Sequence, residues 1–182
     1  VVAFPDGTGK LSGKGLTWNA GDVGTYAARQ DIDDVGFCKA VVADIRQRVA
    51  IDPDRVFVTG HSDGGMMCHR LAREAADVFK GIAPVAGAMN CDDVPSNTPL
   101  AVMMIHGTRD ERVRLEGGEG YAARGRRPRV DAPMAAATEY YVARNGLVDY
   151  AQEAERDGVH VTKYATKKGD GDASPVWVVT LR

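Results

Sequence analysis

Apolar residues recur at spacings of three and four between Asp31 and Val49. Val35, Cys38, Val41, Val42, Ile45 and Val49 make one stripe, which predicts a helix with one buried face. Asp31, Asp33 and Asp34 crowd its start, where the helix dipole favours negative charge. Ile51-Asp52-Pro53-Asp54 breaks the pattern, and Arg55-Val56-Phe57-Val58-Thr59 reads as a short β-branched strand. A second helical stretch follows Gly60–Gly65 and runs to about Phe79. Gly81–Val85 and the uninterrupted run Ala101–Ile105 read as buried strands, the latter covered on both faces. Met134 to Asn145 reads as a helix ended by Asn145-Gly146. Val159–Tyr164 alternates as a strand, and Val176–Leu181 is the last one. At the start, Val1–Phe4 is a strand stopped by Pro5-Asp6-Gly7. Residues 7–30 are Gly-rich and aperiodic, a long surface loop with Trp18 and Tyr26 as its large anchors.

Strands alternating with helices predict an α/β fold, a mostly parallel central sheet with helices on both faces. At 182 residues the chain fits one domain, 1–182, and 44% hydrophobic content is ordinary for a globular core. A formal net charge of −2 gives no reason to expect nucleic acid or an anionic membrane as partner. No stretch approaches the roughly 18 apolar residues of a membrane span. No secretory leader is readable, but the chain opens on Val1-Val2 without an initiator Met, as a removed leader or a longer polypeptide would leave it. The three cysteines, Cys38, Cys68 and Cys91, are odd in number and lack metal spacing, so buried thiols acting as small apolar residues are expected. No His, Cys or carboxylate cluster calls for a metal, and no cofactor is expected. Arg124 to Arg129 is a local basic cluster, read as a solvated loop or a site for an acidic group.

The chemistry concentrates at Gly60-His61-Ser62-Asp63-Gly64-Gly65, a Gly-x-Ser-x-Gly motif with a strand before it and a helix after it. That context is what a nucleophile elbow needs. The serine sits on a sharp, strained turn, its glycines let backbone approach closely, and the helix N-terminus favours negative charge on oxygen. The backbone amide of Asp63 is then one oxyanion donor. A serine nucleophile needs a base held by an acid. Asp110 is the acid candidate, just past the strand ending at Ile105; Asp92 and Asp93 are less well placed, and a helix-capping role for Asp110 stays open. Among the histidines, His61 adjoins the nucleophile and cannot easily turn back to it. His69 lies on the following helix as a surface or packing residue, and His106 props the acid's loop. Only His160 has the chain order of a base, yet it sits inside an alternating strand. Trp18 and His61 are the candidate substrate contacts, although Trp18 reads first as an anchor that packs its own loop.

Val2-Ala3-Phe4-Pro5-Asp6-Gly7, Trp18-Asn19, Asp33-Asp34-Val35-Gly36-Phe37, Gly60–Met67, Ala83–Gly87 and His106–Asp110 occur in that order. Together they resemble the polyhydroxybutyrate depolymerase and feruloyl esterase family of α/β-hydrolases, most weakly over residues 114–175. The resemblance implies a three-layer α/β-hydrolase sandwich, export from the cell, and hydrolysis of a carboxylic ester through an acyl-enzyme. It assigns Ser62 as nucleophile and Asp110 as acid. The substrate would be a short acyl ester, a feruloylated sugar or a polyester. A catalytically deficient remnant serving as a scaffold is the alternative. In the family a His-Gly oxyanion segment precedes the part matching Val1, and a Gly-rich loop carrying the base follows the strand matching Val176–Leu181. A further strand lies between those matching Val1–Phe4 and Val56–Thr59. The sheet is therefore expected to be incomplete: those two strands pair directly, rearrange, or recruit another chain to cover unpaired backbone, as in a homo-oligomer.

Overall fold

In a computed structural model that describes residues 1–21, 23–91, 98–120, 129–147, 151–165 and 174–182, the first long helix starts later than its charge pattern suggests. Tyr26–Arg29 forms a separate single turn, α1, and Asp31 adopts a left-handed φ of 48°, which breaks the chain before Asp33. Asp33 then caps α2 (Asp34–Arg48), its Oδ1 accepting from Gly36 N at 2.8 Å. A 3-10 turn at Pro53–Arg55 pushes the next strand forward, so β1 is Phe57–His61 and not 55–59. Helix α3 (Asp63–Glu74) stops short of Phe79, because residues 75–79 fold into a turn in which Val78 N and Phe79 N both donate to Ala75 O. Strands β2 (Gly81–Val85) and β3 (Ala101–Gly107) follow. A two-stranded ribbon, β4 (Gly118–Glu119) with β5 (Val130–Asp131), precedes α4 (Met134–Arg144). Strands β6 (Ala151–Arg156), β7 (Val159–Tyr164) and β8 (Val176–Leu181) complete the chain.

Six strands form one sheet in the order β1-β2-β3-β8-β7-β6. The first three pairings are parallel and the last two antiparallel, giving the mostly parallel sheet of an α/β-hydrolase fold. Val1–Phe4 joins no strand, and its apolar side chains are exposed, Phe4 at 90%. The expected strand there is corrected, and β1 is left as the sheet edge.

Two apolar clusters hold the layers together. In one, Val35, Cys38 and Val42 of α2 meet Met66, Met67 and Leu71 of α3. In the other, Cys68 and Ala72 of α3 and Ala137 and Tyr141 of α4 cover Ile82, Val102, Met104 and Val176 of the sheet. Among the described residues, helices α2, α3 and α4 thus share one face of the sheet. On β3 burial alternates: Val102, Met104 and His106 are buried, while Met103 is 40% exposed on the other face. The run 101–105 is therefore covered on one face only. On that second face Lys163 Nζ lies 4.8 Å from the Trp177 ring centroid. All three cysteines are free. Burial pushes the Cys38 thiol up to about 11 and the Cys68 thiol up to about 12, so both remain protonated packing residues.

Candidate active site

Strand β1 hands over to α3 at Ser62, whose backbone has φ 55° and ψ −116°. A non-glycine residue held there carries strain of roughly 1–3 kcal/mol, which the surroundings must impose. They do so by close packing. Ser62 N donates to Val85 O at 2.9 Å, and Ser62 O accepts from Met66 N at 2.9 Å. A Cβ on Gly60 would lie 2.4 Å from Gly64 O, and one on Gly65 would lie 2.9 Å from Val85 O. A Cβ on Gly87, in the loop after β2, would lie 2.6 Å from Gly65 C. The first turn of α3 is therefore pressed against the ends of β1 and β2, with Ser62 at the apex. The leading amides of a helix have no partner within it, so the Asp63 N–H stands beside the serine as a donor at the positive end of α3.

The Asp63 side chain faces away from that role. Its Oδ2 accepts from Trp18 N at 2.7 Å, while its Oδ1 is buried with no hydrogen-bond partner. Burial pushes its carboxyl above the ordinary value, against the Trp18 amide and the Arg129 charge. The next residue of the loop is held in the same manner. Asn19 N donates to Asp34 Oδ2 at 2.6 Å, Asn19 Nδ2 to Ile32 O at 2.9 Å, and Asn19 O accepts from Arg70 Nη1 at 2.7 Å. Trp18 itself is half-buried, with its ring centroid 6.3 Å from that of Phe37. It both packs its loop and borders a groove of about 970 Å³ that runs along β1 and reaches His61, Asp63 and Gly64.

Asp110 lies past the end of β3, two strands from β1 in the sheet order. It caps no helix. Its Oδ1 accepts from Arg112 N at 2.8 Å and Val113 N at 3.0 Å, which fixes a tight turn. Partial burial pushes its carboxyl up. The Val113 and Arg112 amides, with the charges of His106 and His61, outweigh that and hold it below the ordinary value. Asp110 is thus an ionised acceptor beside two histidines, at the same end of the sheet as Ser62.

Neither histidine is arranged as a ready base. His61 is exposed as the last residue of β1, and His106 is buried, its Nδ1 3.1 Å from Gly107 O. His69 is fully buried in α3, its Nδ1 3.0 Å from Tyr141 Oη and its Nε2 3.3 Å from Gly87 O. It is a packing residue that props the Gly87 loop against the elbow. His160 lies on β7, opposite Thr180 of β8. Four strand spacings, on the order of 19 Å, separate its strand from β1. The structure does not bring it to Ser62.

Sequence reasoning missed the Asn19 clamp and a second polar network. Buried Asp131 pairs with Arg129 Nε and Nη2 and accepts from Asn90 Nδ2 at 2.6 Å, while Ala132 N donates to Asn90 Oδ1 at 2.9 Å. Arg129 is thereby an ion-paired residue and not part of a solvated loop. The basic residues Arg124, Arg126 and Arg127, like the alternative acids Asp92 and Asp93, lie outside the described residues. Asn90 lies far along the chain from Arg129 and Asp131, and the three carry no periodic signal, so only the fold joins them.

Known proteins are similar to this chain in sequence and fold. The prolyl oligopeptidase family matches residues 1–100, a span that includes the elbow. Over 109 residues, 59% of this chain and 32% of its own length, NocK of Nocardia uniformis subsp. tsuyamanensis, named as an esterase, is 37% identical. Feruloyl esterase B of Piromyces equi is 30% identical over 131 residues, 69% of this chain and 23% of its own length. The chain thus spans about a third or less of these relatives. The native crystal structure of sOPH has the same fold, with a TM-score of 0.52 at 18% identity over 74% of this chain and 46% of that one. With a strained serine where a central strand turns into a helix, a parallel sheet behind it and the family's match over its first hundred residues, the chain belongs to the prolyl oligopeptidase family of α/β-hydrolases.

Proposed function

We propose that the chain carries the nucleophile and the acid of a serine esterase. Ser62 Oγ adds to the ester carbonyl while its proton passes to a base. The oxyanion accepts from the Asp63 amide, and the alcohol leaves with that proton. Water then attacks the acyl-Ser62 and releases the acid. Asp110 orients the base and stabilises its charged form. The observation that carries this reading is the backbone of Ser62, φ 55° at the junction of β1 and α3. Relatives named feruloyl esterase favour a feruloyl ester over a short acyl ester or a polyhydroxybutyrate-type polyester. The same likeness favours an exported enzyme; no helix among the described residues is long and apolar enough to cross a membrane. The test is labelling by a fluorophosphonate and turnover of a chromogenic aryl ester. Both should vanish in Ser62→Ala, and equal rates in that variant would reject Ser62.

A second reading, a scaffold that keeps the elbow but not the catalysis, is favoured by the histidines: none of the four is bonded between Asp110 and Ser62, and His160 is far from both β1 and its helix. Added imidazole separates the two. If the chain lacks only a base, free imidazole accelerates Ser62-dependent turnover in proportion to its neutral form. If it is a scaffold, imidazole gives the same rate with Ser62→Ala.

A further inference from the structure

Resting on the assignment of Ser62 as nucleophile, we infer that the Asp63 side chain is a positioning residue that fixes Trp18 on the rim of the site and so sets how the ester is held. Two successive amides of the loop, those of Trp18 and Asn19, donate to two carboxylates from two helices, Asp63 of α3 and Asp34 of α2. Arg70 of α3 closes the clamp on Asn19 O, and Thr25 Oγ1 donates to Trp18 O at 2.7 Å. The indole is held over the first turn of α3, where its Nε1 is 4.0 Å from the place a Gly64 Cβ would take. One residue therefore presents its amide to the developing oxyanion and its carboxyl to the platform, so the two cannot drift apart.

The orphaned oxygen argues that this arrangement serves more than stability. Asp63 Oδ1 is buried without a donor, and a carboxylate oxygen in that state costs free energy that a neutral tether would avoid. Trp18 and Asp63 line the same groove, which reaches Gly60, His61 and Gly64 on either side of the nucleophile, so the indole borders the approach to the elbow.

The test uses the full chain with Trp177→Phe, leaving Trp18 as its single indole. Acrylamide quenching of Trp18 should rise at least twofold in Asp63→Ala and mostly recover in Asp63→Asn, which keeps an acceptor for the Trp18 amide. For an aryl ester, KM should rise about tenfold in Asp63→Ala with kcat changed far less. Adding Asp63→Ala to Trp18→Ala should move KM by less than about twofold further. Should Asp63→Ala fail to fold, Asp63→Ser, too short to reach the Trp18 amide, carries the same comparison. Quenching equal to that of the parent chain, or a kcat loss with KM unmoved, overturns the inference. A parent chain with no Ser62-dependent turnover even with added imidazole instead rejects the esterase reading, and quenching alone then decides the tether.

Discussion

Gly60 and Gly64 flank Ser62 symmetrically in sequence, but space demands only one of them. A Cβ on Gly60 would press into Gly64 O and C at 2.4 and 2.5 Å, both backbone atoms that can yield only by opening the elbow. A Cβ on Gly64 meets nothing nearer than Trp18 Nε1 at 4.0 Å, and Gly64 has no positive φ. Gly60→Ala should therefore destabilise by about 1–3 kcal/mol, as overpacking does. Gly64→Ala should stay within about 1 kcal/mol of the parent, because alanine is the better helix former in the opening turn of α3. Thermal melts of the two variants check this, and equal losses would contradict the packing. The elbow was legible from these residues because its strain is local: the glycine spacing, the serine and the helix that follows are neighbours in the chain. The base was not legible. Which histidine meets Asp110 depends on strand order, and His160 satisfies the chain order while sitting four strands from β1.

At the scale of elements, the two edges of the sheet differ in kind. Strand β6 ends in Glu153, Glu155 and Arg156, exposed charges that discourage another strand from pairing with it. Strand β1, Phe57-Val58-Thr59-Gly60-His61, carries no acidic or Lys/Arg side chain, and Phe57 is 62% exposed. The chain as it stands should therefore associate as its concentration rises, and Phe57→Lys should reverse this at small cost to the fold. Sedimentation velocity over a dilution series reads the outcome; a parent chain that stays monomeric at the highest concentration contradicts it. Several elements were legible in full: Gly81–Val85, Val159–Tyr164 and Val176–Leu181 have the bounds their apolar patterns gave. Strand β6 was not, because Ala151-Gln152-Glu153-Ala154-Glu155-Arg156 is built of residues that favour helix. What makes it a strand is the turn after it. Asp157 and Gly158 take φ of 53° and 78°, a tight hairpin that lays β6 along β7. That Asp-Gly pair was the signal available.

For the whole molecule, one buried histidine ties the layers to the site. His69 of α3 contacts Tyr141 of α4 and the carbonyl of Gly87, the residue whose missing Cβ lets α3 dock beside Ser62. Burial lowers its pKa to about 4, outweighing the Gly87 carbonyl. A histidine whose folded pKa lies below its unfolded value of 6.5 contributes stability that is fully present above that value and is lost as pH falls through about 4. The loss approaches about 3 kcal/mol, on the order of 10 °C in Tm for a chain this size. Asp34 and Asp63 act in the opposite sense. Burial raises both, so their contribution is present below 3.8 and fades as pH rises through their folded values, and acid spares them. Asp110, held low, loses its contribution only as pH falls below 3.8 toward its folded value. As pH falls from about 6.5 to about 4 the histidine lowers stability while the two raised carboxyls oppose it, and replacing the histidine isolates its share. On acidification across that window Tm should fall relative to that of His69→Gln, whose amide can still reach Gly87 O but takes no proton. Fluorophosphonate labelling of Ser62 should decline over the same window, since protonating His69 loosens the loop that holds the elbow shut; parallel Tm curves for the two proteins would remove His69 as the cause.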